Sequence, residues 1–175
     1  MGSTPHTPIA GAIQRLESAL QRRPGFGVVT HRSVTTSTDG IRCSTAEGEW
    51  RNDTDLPGAL GGNGSAPTPG VLLRAALGSC MAMSYRLRAA KHGVELRSVR
   101  VVVAAASEIA GMLLVDAPAP AGYTELRYHV EIESPAPPDE VRRIIDEGDR
   151  LSPLLDVFTR SNVMRRTMSI RSTEA

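Results

Sequence analysis

Two cysteines are the residues of this chain best suited to covalent chemistry. Cys80 follows Gly78 and Ser79 within a long apolar run, whereas Cys43 lies in a stretch rich in Val and Thr. The thiolate is the nucleophilic form of cysteine, and an unperturbed thiol, with a pKa of about 8.5, is mostly protonated at neutral pH. A reactive cysteine in this chain therefore needs a group that stabilises its thiolate.

The apolar run around Cys80 has helical periodicity, but a helix there does not supply a cation to the thiol. Cys80 lies several turns from the start of the run, beyond the one-turn range of the helix dipole. Arg74 and Arg86 are each six positions away, a rotation of about 240° around a helix, so neither faces the thiol. A cation must come from another element.

Each cysteine also has a structural interpretation. A free cysteine is often a small buried hydrophobe, so Cys80 is either a reactive thiol or a packing residue. Cys43 is interpreted as structural, because no sequence argument brings its Cα within the roughly 7 Å of Cys80 that a disulfide requires. Only Cys80 is a candidate nucleophile.

No other pattern predicts a cofactor or a metal. The four histidines lack ligand spacing, and Gly61–Gly64 lacks the Lys-Ser/Thr of a phosphate-binding loop. With 20 Lys+Arg against 19 Asp+Glu, the charge does not favour nucleic acid or an anionic membrane as a partner. No apolar run is long enough to span a bilayer, and no signal peptide is evident, so we expect a cytoplasmic protein with reduced thiols.

A chain of 175 residues suits one domain. Residues 9–20 have amphipathic helical spacing and precede Pro24-Gly25, which predicts a helical lead-in over 1–24 and a single domain over 25–175. Residues 26–50 carry Asp39-Gly40 between two extended halves, the signature of a β-hairpin. The Gly- and Pro-rich stretch 56–69 predicts a loop.

The remaining elements complete an α+β pattern. A helix is predicted over 70–92, ending at Gly93, with its first three turns buried nearly all round. Strands are predicted over 98–106 and 123–133, joined by an irregular or short-strand connection, and a second helix follows Pro137-Pro138 with Asp139 as its cap. Pro153 breaks or restarts that helix, and a last strand is predicted around Val163–Ile170.

Several of these runs resemble the OsmC/Ohr family, the osmotically inducible and organic-hydroperoxide-resistance proteins. The strongest is Pro69–Ala82, PGVLLRAALGSCMA, which is similar to the family's Pro-x-x-Leu…Ala-Ala…Ser/Ala-Cys helix. Supporting runs are Gly111-Met112-Leu113 with Pro120-Ala121-Gly122-Tyr123, and Ser152-Pro153, where the family has Cys-Pro or Ser-Pro.

The resemblance implies an OsmC-like fold and an intertwined homodimer with two central helices at its centre. In enzymatic members the helix cysteine, here Cys80, attacks an organic hydroperoxide, a second cysteine resolves the sulfenic acid, and an Arg held by a Glu activates the thiol. This chain departs from the pattern, with Gly70 in place of the Glu and Ser152 in place of the second cysteine. Arg32 and Arg42, in the N-terminal β region, are the candidate thiolate partners.

Two functions follow from these observations. The first is thiol-dependent reduction of organic hydroperoxides by Cys80 alone, with an external thiol as reductant. The second is non-enzymatic binding of a small apolar ligand at the interface of a homodimer, with Cys80 structural.

Overall fold

The computed structural model describes residues 8–115 and 118–171, which form five α-helices, one 3-10 turn (Gly58–Leu60) and five strands. In chain order they are α1 (Pro8–Arg22), β1 (Val34–Thr36), β2 (Cys43–Glu47), β3 (Trp50–Thr54), α2 (Pro69–His92), β4 (Ser98–Ser107), α3 (Ile109–Leu113), β5 (Tyr123–Glu133), α4 (Pro138–Arg150) and α5 (Pro153–Thr159). The α+β class is confirmed. The division into a lead-in and a domain stays a prediction.

Local signals set both ends of α2. The side chain of Thr68 accepts a hydrogen bond from the Val71 amide, and Pro69 opens the first turn, where its missing N–H costs nothing. Gly93 ends the helix in the left-handed conformation, with φ of 72°, as the sequence predicted.

The core lies along one stripe of α2. Leu77, Met81, Tyr85 and Ala89, spaced four residues apart, are buried against Ile144 and neighbouring strand residues. The expectation that the first three turns are buried nearly all round is wrong for the single chain, in which Leu77 is the only buried residue among them. Small side chains on the other faces of these turns, such as Ala75 and Ala76, remain exposed in the described chain.

The described chain forms two antiparallel sheets. Strands β1 and β2 form the predicted hairpin around Asp39-Gly40, and β3 adds a third strand beside β2. Strands β4 and β5 pair from Ser98 opposite Glu133 to Ser107 opposite Tyr123, and Val99, Val101 and Val103 of β4 pack against the core. Of the two described sheets, it is this second one that packs a face against the core.

Two short segments differ from the sequence prediction. The connection after β4 begins with the five-residue helix α3. Asp139 is not the cap of α4, because Pro138 already occupies the first helical position and Asp139 lies inside the first turn, where it pairs with Arg142.

The predicted C-terminal strand does not form in this chain. Residues 160–171 have no helix or strand, and Met164 is 91% exposed. A strand exists only when its backbone groups pair with a neighbour, and no strand of the described chain lies beside this segment. Alternation of Met164, Met168 and Ile170 was therefore insufficient to specify a strand.

The Gly-rich loop before α2 is held by a buried carboxylate. Asp55 accepts hydrogen bonds from the amides of Leu56, Asn63 and Ser65 and from the Ser65 hydroxyl. These donors, led by the Ser65 amide, lower the pKa of Asp55 to about 2. The loop that enters α2 is thus held in place by hydrogen bonds from its own backbone amides to the Asp55 carboxylate.

Among residues 8–115 and 118–171, no helix combines the length and apolarity needed to cross a bilayer.

Candidate functional site

Cys80 lies on α2 at the border of the core, half-buried beside the fully buried Met81. Its Sγ atom is 3.6 Å from Oγ of Ser152, which is 72 residues away in sequence. This contact joins the central helix to the junction between α4 and α5. The structure therefore brings Cys80 next to Ser152, the position where the resemblance implies a second cysteine.

Ser152 is fixed by its role as a helix cap. Its Oγ accepts a hydrogen bond of 3.4 Å from the Leu155 amide, and Pro153 occupies the first position of α5. Its backbone is extended, with ψ of 115°, as a following proline requires. Ser152 is only 1% exposed, so water has little access to its hydroxyl.

Asp149, at the end of α4, anchors this junction. Tyr85 of α2 donates to one carboxylate oxygen at 2.5 Å, and Tyr128 of β5 donates to the other at 2.9 Å. Burial, followed by these hydrogen bonds to Asp149, raises the pKa of both tyrosines. Both therefore remain protonated donors at neutral pH. The three side chains tie α2, α4 and β5 together one turn before Ser152.

Gly148 permits the close approach of α4 to α2. A Cβ atom at this position would overlap Cδ1 of Tyr85, which is fully buried. A larger residue must therefore displace the ring or the helix. Gly148 thus sets the spacing that places Ser152 against Cys80.

A separate polar cluster surrounds Gly70. Nη1 of Arg74 donates to the Tyr123 hydroxyl at 2.9 Å, and that hydroxyl donates to the Gly70 carbonyl at 3.3 Å. A Cβ at Gly70 would lie 2.7 Å from the Tyr123 oxygen. Tyr123 therefore occupies the space that a side chain at position 70 would need.

The candidate arginines make other contacts within this chain. Arg42 forms a 2.7 Å ion pair with Asp53 and donates to Ser65 Oγ, which joins the hairpin to the loop before α2. The Arg42 hydrogen bond lowers the pKa of Asp53. Arg32 is exposed in the segment before β1. Their proposed role as thiolate partners stays a prediction.

Cys43 lies in β2 opposite Thr54, and both cysteines are free thiols. Its Sγ lies 3.7 Å from the Ile41 carbonyl oxygen, a local contact that agrees with a structural interpretation. Within the described ranges, no group of three or more His, Cys, Asp or Glu side chains could hold a metal ion.

The sequence patterns indicate positions 80 and 152, with Ser152 only as the loss of a thiol. They give no direct indication that Asp149, Tyr85 and Tyr128 belong to the site. One signal was available: Asp149 is four residues after Ile145 and therefore continues the apolar face of α4. A carboxylate on an apolar face needs hydrogen-bond donors from a neighbouring element.

Comparison with known proteins agrees with this architecture. The family described as OsmC-like protein matches residues 62–165, which is more than half of the chain. No curated protein matches the sequence.

Solved structures resemble the fold at low sequence identity. An OsmC-like protein from Mycoplasma pneumoniae superimposes with a TM-score of 0.64 and 15% identity, covering 75% of this chain and 89% of that one. An organic hydroperoxide resistance protein from Legionella pneumophila gives 0.56 and 18%, covering 75% and 90%. One from Elizabethkingia anophelis gives 0.56 and 18%, covering 77% and 91%. The chain belongs to the OsmC-like protein family.

Proposed function

We propose that this protein reduces organic hydroperoxides with Cys80 as its single peroxidatic thiol and an external thiol as reductant. The observation that carries the proposal is the position of Cys80, half-buried on the central helix of an OsmC-like fold with the Ser152 hydroxyl 3.6 Å from its sulfur. The names of two similar structures, organic hydroperoxide resistance proteins, support the substrate class.

The reaction follows from the chemistry of a lone thiol. The Cys80 thiolate attacks the distal oxygen of the hydroperoxide, an S–O bond forms as the O–O bond breaks, and the leaving alkoxide takes a proton to become an alcohol. The sulfur is oxidised to a sulfenic acid. Because Ser152 cannot form a disulfide, an external thiol attacks that sulfur and releases water. A second thiol equivalent then reduces the mixed disulfide and restores Cys80.

The test is reduction of cumene hydroperoxide with dihydrolipoamide, which provides both thiol equivalents. We expect turnover by the full chain and by Cys43→Ser, and loss of turnover in Cys80→Ser. Dimedone should label Cys80 after exposure to peroxide without reductant, as seen by peptide mass spectrometry. Absence of turnover together with absence of a Cys80 adduct would refute the proposal.

A second candidate function is binding of a small apolar ligand. A cavity of about 440 Å³ lies between α1, α2 and β4, lined mainly by Ile9, Ala82, Met83, Leu87 and Val99. Cys80 is not part of its lining, so Cys80→Ser should leave binding of an apolar fluorescent probe unchanged while it removes peroxide turnover. The same variant therefore separates the two functions.

We further propose that the working unit is a homodimer. The surface of α2 away from the core exposes Val71 and Met83, the latter by 64%, and Trp50 of β3 is 72% exposed. Exposed apolar patches often mark protein interfaces. A second copy of the chain packed along α2 would cover it.

A further inference from the structure

The Ser152 hydroxyl has a direction that its neighbours determine. Its oxygen accepts a hydrogen bond from the Leu155 amide and contacts Cys80 Sγ, and these are its two partners in the described chain. A serine hydroxyl has one hydrogen to donate. If the oxygen also accepted from the thiol, that hydrogen would have no acceptor in a site that is 1% exposed, which is costly. The hydrogen therefore points to the sulfur.

A donor aimed at the sulfur changes the balance between thiol and thiolate. A hydrogen bond to the charged form of a group favours that form, and a thiolate is a much stronger acceptor than a thiol. Three charged side chains on the elements around the site have other partners: Asp149 binds Tyr85 and Tyr128, Asp156 pairs with Arg160, and Arg86 donates to the Leu96 carbonyl.

We propose that Ser152 is a positioning residue that stabilises the Cys80 thiolate by donating its hydroxyl hydrogen to Sγ. Its importance for catalysis rests on the proposed hydroperoxide reduction, whereas the hydrogen bond itself does not. Ser152, which has no thiol, thus acts as a hydrogen-bond donor to the Cys80 sulfur.

The surrounding structure keeps this donor in place. Capping of α5 orients the oxygen, and the Ser152 amide donates to the Asp149 carbonyl at 3.3 Å. Asp149 is in turn held by Tyr85 and Tyr128. The hydroxyl is therefore preorganised before the thiolate forms, and no rearrangement is needed when the thiol loses its proton.

The experiment measures the rate of alkylation of Cys80 by iodoacetamide from pH 5 to 10, in a Cys43→Ser background. In Ser152→Ala we expect the pH–rate profile to shift to higher pH by about one unit. Alkylation near pH 7 should then be about tenfold slower. Ser152→Gly also lacks the hydroxyl but is tolerated at a helix cap, and it should give the same shift if the alanine variant folds poorly.

Thr68→Ala is the matched control. It removes a side-chain cap with the same 3.4 Å geometry from the helix that carries Cys80, without touching the sulfur contact. Its profile should coincide with that of the parent. Coincident profiles for both Ser152 variants, or an equal shift in Thr68→Ala, would overturn the inference.

Iodoacetamide involves no peroxide step, so the two proposals fail separately. A shifted alkylation profile without peroxide turnover would refute the proposed function alone. Peroxide turnover with an unshifted profile would refute the role of Ser152 alone.

Discussion

At the scale of single residues, this chain replaces the polar partners that the OsmC/Ohr resemblance implies for the thiol. The Tyr123 hydroxyl occupies the space beside Gly70, and the Ser152 hydroxyl contacts Cys80 where a second sulfur is expected. The Tyr123 hydroxyl belongs to a cluster separate from the thiol, whereas the Ser152 hydroxyl is in contact with the sulfur. For the proposed peroxide reduction, the site therefore offers a hydroxyl beside Cys80 but no internal resolving step.

Ser152→Cys should restore that step. A sulfur at the Ser152 Oγ position would start about 3.6 Å from Cys80 Sγ, and modest side-chain rotation would bring it to the bond length of about 2.05 Å. Peroxide treatment should then produce a disulfide between Cys80 and the thiol introduced by the substitution, detected by non-reducing peptide mapping in a Cys43→Ser background. Thiols that stay free after oxidation would show that the backbone geometry does not allow the bond.

At the scale of elements, the contact between α2 and α4 determines where the cap of α5 lies. Gly148 lets the two helices approach at Tyr85, and Asp149 connects α4 to both Tyr85 and Tyr128. Helix α5 begins directly after this contact. A change in helix spacing should therefore alter both stability and the environment of the thiol.

Gly148→Ala should destabilise the fold by about 1–3 kcal/mol, the usual cost of overpacking, although alanine favours a helix. Urea unfolding followed by circular dichroism measures the change. Gly11→Ala in α1 is the matched control, because its new Cβ would meet only the flexible end of Arg15 at 3.3 Å. That variant should be as stable as the parent or slightly more stable. Equal stability of the two variants would contradict the predicted close contact.

At the scale of the whole molecule, a single chain leaves apolar groups uncovered. Exposed large apolar side chains include Val71 and Met83 of α2, Trp50 of β3, and Met164 and Ile170 of the segment 163–170. Sheets and helices normally bury an apolar face against another layer. This distribution supports the proposed homodimer.

Sedimentation equilibrium should give a mass of twice 18.7 kDa for the full chain. Met83→Glu would place an unpaired carboxylate in the proposed interface, and since burying such a charge costs several kcal/mol, the variant should sediment as a monomer. Gln21→Glu adds the same charge at an exposed position of α1 and should leave the mass unchanged. A monomeric parent chain at micromolar concentration would refute the dimer.

The sequence by itself determined the α+β class, the bounds of α2 within one residue, the pairing strands β4 and β5, and the location of Cys80 on the central helix. These features depend on signals that act over a few residues. A helix begins at Thr68-Pro69 and stops at Gly93 because of local capping, whatever the helix packs against. The alternation of apolar and polar residues in 123–133 likewise specifies an extended segment.

Only the tertiary structure decided which residues meet. Cys80 and Ser152 are 72 positions apart, and Tyr85 and Asp149 are 64 apart, so no periodicity relates them. These contacts depend on the close spacing of α2 and α4, which Gly148 permits. They also depend on where the chain leaves α4 and begins α5. The segment 163–170 shows the converse, because alternation without a neighbouring strand leaves backbone groups unpaired and no strand forms.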